Sequence, residues 1–164
     1  MKLLFVQTGG TIDKGYFSTA NNHGYNFEIT DPAYERILER IRPSFDYETT
    51  TVARKDSTEL TDADRLAIFN ACKTTSIDRI IVTHGTDSIL QSAEAVDGIN
   101  NKTIVFTGAR IPEYFKDSDA DFNLGSAISA ATYLPIGVYI AMNGLVLPWR
   151  DIIYDPVTET FIAK

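Results

Sequence analysis

Two short segments of this chain place threonine hydroxyls directly after runs of apolar, β-branched residues. Residues 8–12 read TGGTI and follow the apolar run 3–6, while residues 83–87 read THGTD and follow the run 80–82. Both runs have the length and branching of buried parallel strands. Because ligands bind beyond the carboxyl ends of the strands in an open parallel sheet, the two segments could form one pocket. Two threonines in such a pocket suggest a nucleophile and its activator.

The elements that must position these segments alternate between strand and helix. Apolar runs predict strands at residues 2–7, 79–82, 103–106 and 137–141, with a short edge strand at 145–147. A further strand is expected at 47–53. Capping residues and helical spacing predict helices that run from the N-cap Asp31 to Pro43, from the cap at 61–64 through residue 72, at 88–97 and at 122–132. This alternation implies right-handed crossovers, and we expect an α/β fold: a doubly wound, mainly parallel sheet with helices on both faces, in a three-layer, flavodoxin/Rossmann-like architecture.

Two stretches interrupt the alternation. Residues 13–30 are rich in Gly, Asn, Ser and aromatic residues, and they predict a long loop or a hairpin centred on residues 21–24. Loops of this length beside a site are often lids. After Ala141 the pattern weakens, and beyond the polar segment 149–151 it predicts a frayed end.

Length and composition bound the class of protein. A chain of 164 residues predicts one domain, 1–164, and 44% apolar with 23% charged residues is ordinary for a globular protein. No segment approaches the roughly 18 apolar residues of a membrane span, and the apolar start is shorter than a signal-peptide core of about 7 to 15. We therefore expect a cytoplasmic protein with no membrane partner. Cys72 is the only cysteine, so no intrachain disulfide can form, and its helical apolar setting predicts a buried structural thiol.

Charge and motif content argue against several kinds of partner. Fifteen basic and 22 acidic residues give a net charge of −7 with no Lys/Arg cluster, which disfavours nucleic acid. His23 and His84 have no metal-ligand spacing, so no metal is expected. The glycines at 9 and 10 lack both the Walker lysine and the spaced dinucleotide fingerprint, and we expect no cofactor.

Four segments carry a family resemblance. Residues 8–12, 82–88, 107–112 and 121–124 read TGGTI, VTHGTDS, TGARIP and DFNL, and they occur in the order found in the amino-terminal domain of bacterial-type L-asparaginases (asparaginase/glutaminase family), which this chain resembles. The first two segments are specific as a pair. The resemblance covers nearly the whole chain but about the first half of a typical member, so the family's second, smaller domain is expected to be missing.

The resemblance implies hydrolysis of a side-chain amide by a threonine nucleophile. Thr11 matches the nucleophile, whose hydroxyl would attack the amide carbonyl and release ammonia while backbone N–H groups near Gly9 and Gly10 met the oxyanion. Taken alone, the residues leave two alternatives open: Thr11 as a turn cap, or the glycine loop as a simple anion site.

The second segment supplies the matching partner residues. Thr86 and Asp87 match the family's second threonine and its aspartate, and the carboxylate would hold a substrate α-ammonium while Thr86 positioned water or the amide. The alternative is that both residues cap the helix that begins near Ser88. Gly10 and Gly85, one at each strand exit, are expected to line the substrate.

Further residues enter only through the resemblance. Ser57 resembles the serine that binds the substrate α-carboxylate, with Thr58 beside it, although a turn or cap hydroxyl is the alternative for both. Tyr25 resembles the lid tyrosine that hydrogen-bonds the nucleophile, and Tyr16 competes for that role.

This chain departs from the family pattern at one position. Threonine needs a base, and the family lysine that follows the Arg-Asp pair is replaced here by Tyr154, which carries no positive charge. Lys14 would substitute for this lysine if it reached the Thr86–Asp87 pair.

Two hypotheses therefore stay open. One is an amidohydrolase acting on asparagine or a similar small amide; the other is a catalytically impaired amino-acid-binding or regulatory module that keeps the pocket. Family members form sites between subunits, so the resemblance also implies a homo-oligomer, a dimer or higher.

Overall fold

The computed structural model describes residues 1–16 and 23–164. Its helices and strands in chain order are β1 (Lys2–Gly9), β2 (Lys14–Gly15), β3 (Glu28–Ile29), α1 (Ala33–Ile41), β4 (Asp46–Lys55), α2 (Asp62–Thr74), β5 (Arg79–Thr83), α3 (Ile89–Val96), β6 (Thr103–Thr107), α4 (Ala120–Tyr133), β7 (Gly137–Met142), β8 (Leu145–Pro148), β9 (Ile152–Asp155) and β10 (Thr160–Ala163).

A six-stranded sheet forms the centre of the structure, in the order β4-β1-β5-β6-β7-β8. The first five of these strands are parallel, and β8 pairs antiparallel with β7 at the edge. After β1 the chain adds β4 on one side of that strand and then β5, β6 and β7 on the other side, as in a doubly wound sheet. The predicted α/β, mainly parallel sheet is therefore confirmed, as is the edge strand predicted at 145–147.

Helices cover both faces of the sheet. Leu3 and Phe5 of β1 face α1 and α4, whereas Leu4 and Val6 face α2 and α3, because successive side chains of a strand point to opposite faces. Cys72 lies fully buried on the α2–α3 side, where burial raises the pKa of its thiol to about 12. A structural thiol at this position agrees with the helical pattern.

The start of α1 differs from the prediction. Its N-cap residue is Pro32 rather than Asp31, and the backbone N–H of Ala33 donates to Asp13 Oδ1 at 2.7 Å. Asp31 instead pairs with Arg54 at 3.0 Å. A carboxylate twenty residues upstream thus takes the place of the local cap. The residues next to the helix gave no indication of this partner.

The frayed end predicted after residue 151 is also wrong. Strands β9 and β10 form an antiparallel hairpin in which Tyr154 pairs with Phe161, and the two ring centroids lie 5.2 Å apart. Ile152 and Phe161 are buried against the α2–α3 side of the core. Apolar burial of these side chains therefore orders the segment.

Residues 13–30 begin and end as a hairpin. Lys14 pairs with Ile29 and Gly15 with Glu28 in the antiparallel pair β2–β3. Part of the predicted centre, residues 21 and 22, lies outside the described residues. In the part of the chain that the structure covers, no helix has the length and apolar character to cross a membrane.

Candidate active site

The carboxyl ends of β1, β4 and β5 meet at one edge of the sheet. Thr8 Oγ1 donates to the carbonyl of Thr83 at 2.8 Å, and the N–H of Gly10 donates to the carbonyl of Lys55 at 2.9 Å. These bonds join the exit of β1 to the exits of both neighbouring strands. The Gly10 N–H is already engaged, so an oxyanion donor near this residue has to be another amide.

The segments beyond these exits touch one another. A Cβ on Gly10, whose φ is +87°, would lie 2.3 Å from the Gly85 nitrogen, and a Cβ on Gly85 would lie 2.7 Å from the Ser57 side chain. No real Cβ tolerates such distances, so both positions need glycine. We call Gly10, Ser57, Gly85 and Asp87 the strand-exit cluster.

Ser57 connects two members of this cluster. Its side chain is 1% exposed, and its hydroxyl donates to Asp87 Oδ2 at a long 3.4 Å. Ser88 fixes the backbone here, since its hydroxyl donates to the Ser57 carbonyl at 2.5 Å. The Asp87 residue is exposed, so its carboxylate can meet a ligand from solvent.

Thr11 and Thr86 are each half-buried at the start of a 3-10 turn. The turn Thr11–Asp13 follows Gly10, and the turn Thr86–Ser88 leads into α3. Neither turn has a side-chain cap hydrogen bond, and Ser88 is the N-cap residue of α3. Side-chain capping by Thr11, Thr86 or Asp87, the structural alternative for these residues, is therefore not what the geometry shows.

His84 is a buried support of the cluster that the sequence did not predict. Its Nδ1 lies 2.8 Å from the Gly85 carbonyl and its Nε2 lies 2.7 Å from Ser92 Oγ. Burial, with a smaller contribution from the Arg65 charge, lowers the pKa of the imidazole to about 4 against the Gly85 hydrogen bond. A neutral ring that donates from Nδ1 and accepts at Nε2 satisfies both contacts.

Asp13 is a second buried residue that the sequence reasoning missed. Besides the bond from Ala33, its carboxylate accepts from Gln7 Nε2 at 3.0 Å. Burial raises the pKa of the carboxyl to about 7, although these bonds and the charges of Arg36 and Arg54 oppose the rise. The one signal in the sequence was an acid directly after the apolar residue that ends the TGGTI segment. Asp13 thus ties the Thr11 turn to α1.

Other predicted site residues are not brought to the cluster. Tyr25 is 84% exposed with its ring 6.4 Å from His23, and Tyr16 packs on Phe27 at 5.0 Å. No hydrogen bond joins either tyrosine to Thr11. Thr58 is exposed in the turn that begins at Ser57. The roles of these residues stay predictions.

The residues considered for the missing base are engaged elsewhere. Tyr154 packs on Phe161 and forms no hydrogen bond with Thr86. Lys14 Nζ lies 2.5 Å from Asp56 Oδ2, so in this structure the lysine pairs with the residue before Ser57 rather than with Thr86 or Asp87. Within residues 1–16 and 23–164, no group of three or more His, Cys, Asp or Glu could hold a metal ion.

Comparison with known proteins gives one family. The family model described as "Asparaginase, N-terminal" matches residues 2–153. The L-asparaginase of Thermococcus kodakarensis is 32% identical over 159 residues, which cover 92% of this chain and 47% of that relative. The "Probable L-asparaginase periplasmic" of Haemophilus influenzae is 26% identical over 170 residues, which cover 97% of this chain and 48% of the relative.

Solved structures give the same picture. The thermostable L-asparaginase from Thermococcus kodakarensis aligns with a TM-score of 0.83 at 25% identity, over 99% of this chain and 51% of that one. The probable cytoplasmic L-asparaginase from Campylobacter jejuni aligns with a TM-score of 0.79 at 22% identity, over 99% and 51% of the two chains, and supports the fold alone. The chain spans about half the length of the curated relatives it matches.

Proposed function

The chain belongs to the asparaginase family, and we propose that it is an asparaginase-like amidohydrolase that converts L-asparagine, or a similar small amide, to the carboxylic acid and ammonia. The observation that carries the proposal is the strand-exit cluster. Its contacts set a hydroxyl-bearing turn, a buried serine and an exposed carboxylate beside one another at the carboxyl edge of a parallel sheet, where ligands of such sheets bind.

The proposed substrate is held by its amino-acid end. Asp87 would pair with the α-ammonium, and the Ser57 hydroxyl, whose present bond to Asp87 is long, would turn to donate to the α-carboxylate. Both interactions orient the side-chain amide without touching the bond that breaks. Their contribution is positioning, which raises the effective concentration of the amide at the nucleophile.

The proposed reaction has two steps. The Thr11 oxygen attacks the amide carbon, the hydroxyl proton passes to the amide nitrogen, and the tetrahedral intermediate expels ammonia and leaves an acyl-threonine ester. Water, positioned by Thr86, then attacks the ester and returns the proton to Thr11. Backbone N–H groups of the glycine-rich turns would stabilise the oxyanion in both steps.

Ammonia release from asparagine and from glutamine tests this function directly. Thr11→Ala and Thr86→Ala should each lower the rate by at least about 100-fold, the scale of one lost catalytic group. Thr49→Ala, an exposed threonine in the middle of β4, is the matched control and should leave the rate unchanged. Equal rates for wild type and Thr11→Ala would end the amidohydrolase proposal.

A second candidate function is an amino-acid-binding or regulatory module without efficient turnover. The observation that favours it is Tyr154, which stands where the family has a lysine and packs on Phe161. A phenol cannot supply the positive charge of an ammonium. This candidate predicts that aspartate binds in isothermal titration, that Asp87→Asn abolishes the binding, and that no threonine variant changes the slow background release of ammonia.

The proposal also covers the oligomeric state and the cellular compartment of the protein. We expect a homo-oligomer, because the strand exits lie open at the sheet edge, and sedimentation equilibrium showing only a monomer of 18.2 kDa would contradict it. We expect the protein to act in the cytoplasm, where fractionated cells should contain it. The two compartments named for its relatives differ, so the fractionation decides between them.

A further inference from the structure

An ion pair joins the turn that carries Thr11 to the turn that carries Ser57. Lys14 Nζ lies 2.5 Å from Asp56 Oδ2, and only 22% and 36% of the two side chains are exposed. Lys14 directly follows the turn Thr11–Asp13, and Asp56 directly precedes Ser57. The pair therefore lies within three residues of Thr11 on one side and next to Ser57 on the other.

Each end of this ion pair is held by its own segment. Lys14 opens β2, where its backbone pairs with Ile29. On the other side, the N–H of Glu59 donates to the Asp56 carbonyl at 2.9 Å, and the N–H of Asp56 donates to Glu59 Oε2 at 3.4 Å. The backbone of each partner is thereby fixed within its own segment.

The Asp56 side of the pair continues into the strand-exit cluster. Ser57 contacts Gly85 and donates to Asp87, as described above. On the Lys14 side, the N–H of Gly10 reaches the carbonyl of Lys55. One backbone bond and one short ion pair thus join the Thr11 turn to the Ser57 turn beyond the pairing of β1 with β4.

We propose that Lys14 and Asp56 are a positioning pair, which holds the Thr11 turn and the Ser57 turn at the separation that an amino-acid ligand requires. The inference rests on the proposed function, because a bound amino acid would bridge the two turns, with its α-carboxylate at Ser57 and its side-chain carbonyl at Thr11. A ligand that bridges two segments loses affinity when their separation is no longer fixed.

A double-mutant cycle measured by aspartate affinity tests this pair. Lys14→Met and Asp56→Asn should each weaken aspartate binding by about fivefold in isothermal titration, and the double variant should be no weaker than either single one, because contacting residues couple. Lys14→Arg keeps the charge and should restore most of the affinity. Multiplicative losses in the double variant, or wild-type affinity in Lys14→Met, would overturn the proposal.

A matched control separates positioning from general electrostatics. Lys2→Met removes the Lys2–Glu48 pair, which is equally short at 2.5 Å but exposed at the opposite end of β1 and β4. It should leave aspartate affinity within the error of wild type. A loss equal to that of Lys14→Met would mean that only net charge matters, and the positioning role would be rejected.

Hydrogen exchange gives a readout that needs no ligand. In Lys14→Met and Asp56→Asn, the amides of Gly15 and Glu59 should exchange at least about threefold faster, while the urea midpoint of the whole chain stays constant. If wild type binds no aspartate, the proposed function fails, and exchange alone decides whether the tie exists. Unchanged exchange at both amides would show that the Lys14–Asp56 ion pair does not hold the two turns together.

Discussion

Gly10 is the residue on which the contact between the first two strand exits depends. It holds a positive φ of +87°, and its α-carbon faces Gly85 so closely that an added Cβ would lie 2.3 Å from the Gly85 nitrogen. Backbone atoms cannot rotate away as a flexible side chain can. The absence of a side chain at this position therefore fixes how near the Thr11 turn approaches the Asp87 segment.

Replacement of Gly10 by alanine should separate these segments. We expect Gly10→Ala to lower the free energy of unfolding by roughly 3 kcal/mol, since it combines a strained φ with a backbone overlap, and to abolish aspartate binding. Gly125→Ala is the matched control, because a Cβ there meets open space on helix α4, and it should stabilise the fold by up to about 1 kcal/mol. Urea unfolding and isothermal titration measure both effects. An unaffected Gly10→Ala would contradict the observed packing.

Asp13 should make the stability of the fold depend on pH. Its pKa is raised from 3.8 to about 7, so the native state binds the proton more tightly than the unfolded chain does. The stabilisation from this group is complete below pH 3.8 and is lost as the pH rises through 7, with a slope of at most about 1.4 kcal/mol per unit. The stability of wild type relative to Asp13→Asn should therefore fall between pH 4 and 7.

The comparison with Asp13→Asn is needed because His84 acts in the opposite direction. The lowered pKa of His84 contributes stability that is present above pH 6.5 and is lost as the pH falls through about 4. Both proteins contain His84, so its contribution cancels in the difference. Exposed Asp117→Asn should give the same pH profile as wild type in urea titrations. A pH-independent difference between wild type and Asp13→Asn would refute the assignment.

At the scale of elements, the sequence predicted the strands and helices whose formation depends mainly on neighbouring residues. Four of the five parallel strands, β1, β5, β6 and β7, were predictable because each contains a short apolar run, whereas β4 is rich in threonine and largely exposed. The two threonine segments indicated which strand exits hold the candidate site. The start of α1 was not predictable, since its cap comes from Asp13. Strands β9 and β10 were not predictable either, because they are stabilised by burial of Phe161 against helices and strands that lie much earlier in the sequence.

The same reasoning explains what was missing from the predicted site. Contact between Gly10 and Gly85 follows from parallel strands that end at one edge, whereas Ser57 was expected near them only through the family resemblance. The supporting role of His84 was invisible, because a histidine in a motif does not reveal that it is fully buried against Ser92. Long-range burial decides such roles, and it depends on the whole fold.

The C-terminal hairpin offers a prediction at the element scale. Phe161→Ala removes a ring that is buried against Tyr154 and the core, and it should lower the free energy of unfolding by about 3 kcal/mol. Val157→Ala, in the turn between β9 and β10, changes a side chain that is 89% exposed and should stay within about 0.5 kcal/mol of wild type. Equal urea midpoints for both variants would show that the hairpin contributes nothing to the core.

At the scale of the whole molecule, the sheet is covered on both faces but open along its carboxyl edge. The chain spans about half the length of the curated relatives it matches. Among the described groups at this edge, the strand-exit cluster offers a ligand one exposed carboxylate and one buried hydroxyl. Recognition of the ammonium group should then dominate selectivity.

Stabilisation of the whole chain by ligands measures that selectivity. A ligand that binds only the folded state at 100 times its Kd adds about 2.7 kcal/mol to the free energy of unfolding. Aspartate should therefore raise the melting temperature of wild type, whereas succinate, which has the same two carboxylates and no ammonium, should raise it much less. Asp87→Asn keeps an oxygen that can accept from Ser57 but loses the charge, so it should respond weakly and equally to both compounds. If Asp87→Asn still preferred aspartate over succinate, another group would have to bind the ammonium, and the proposed role of Asp87 would be wrong.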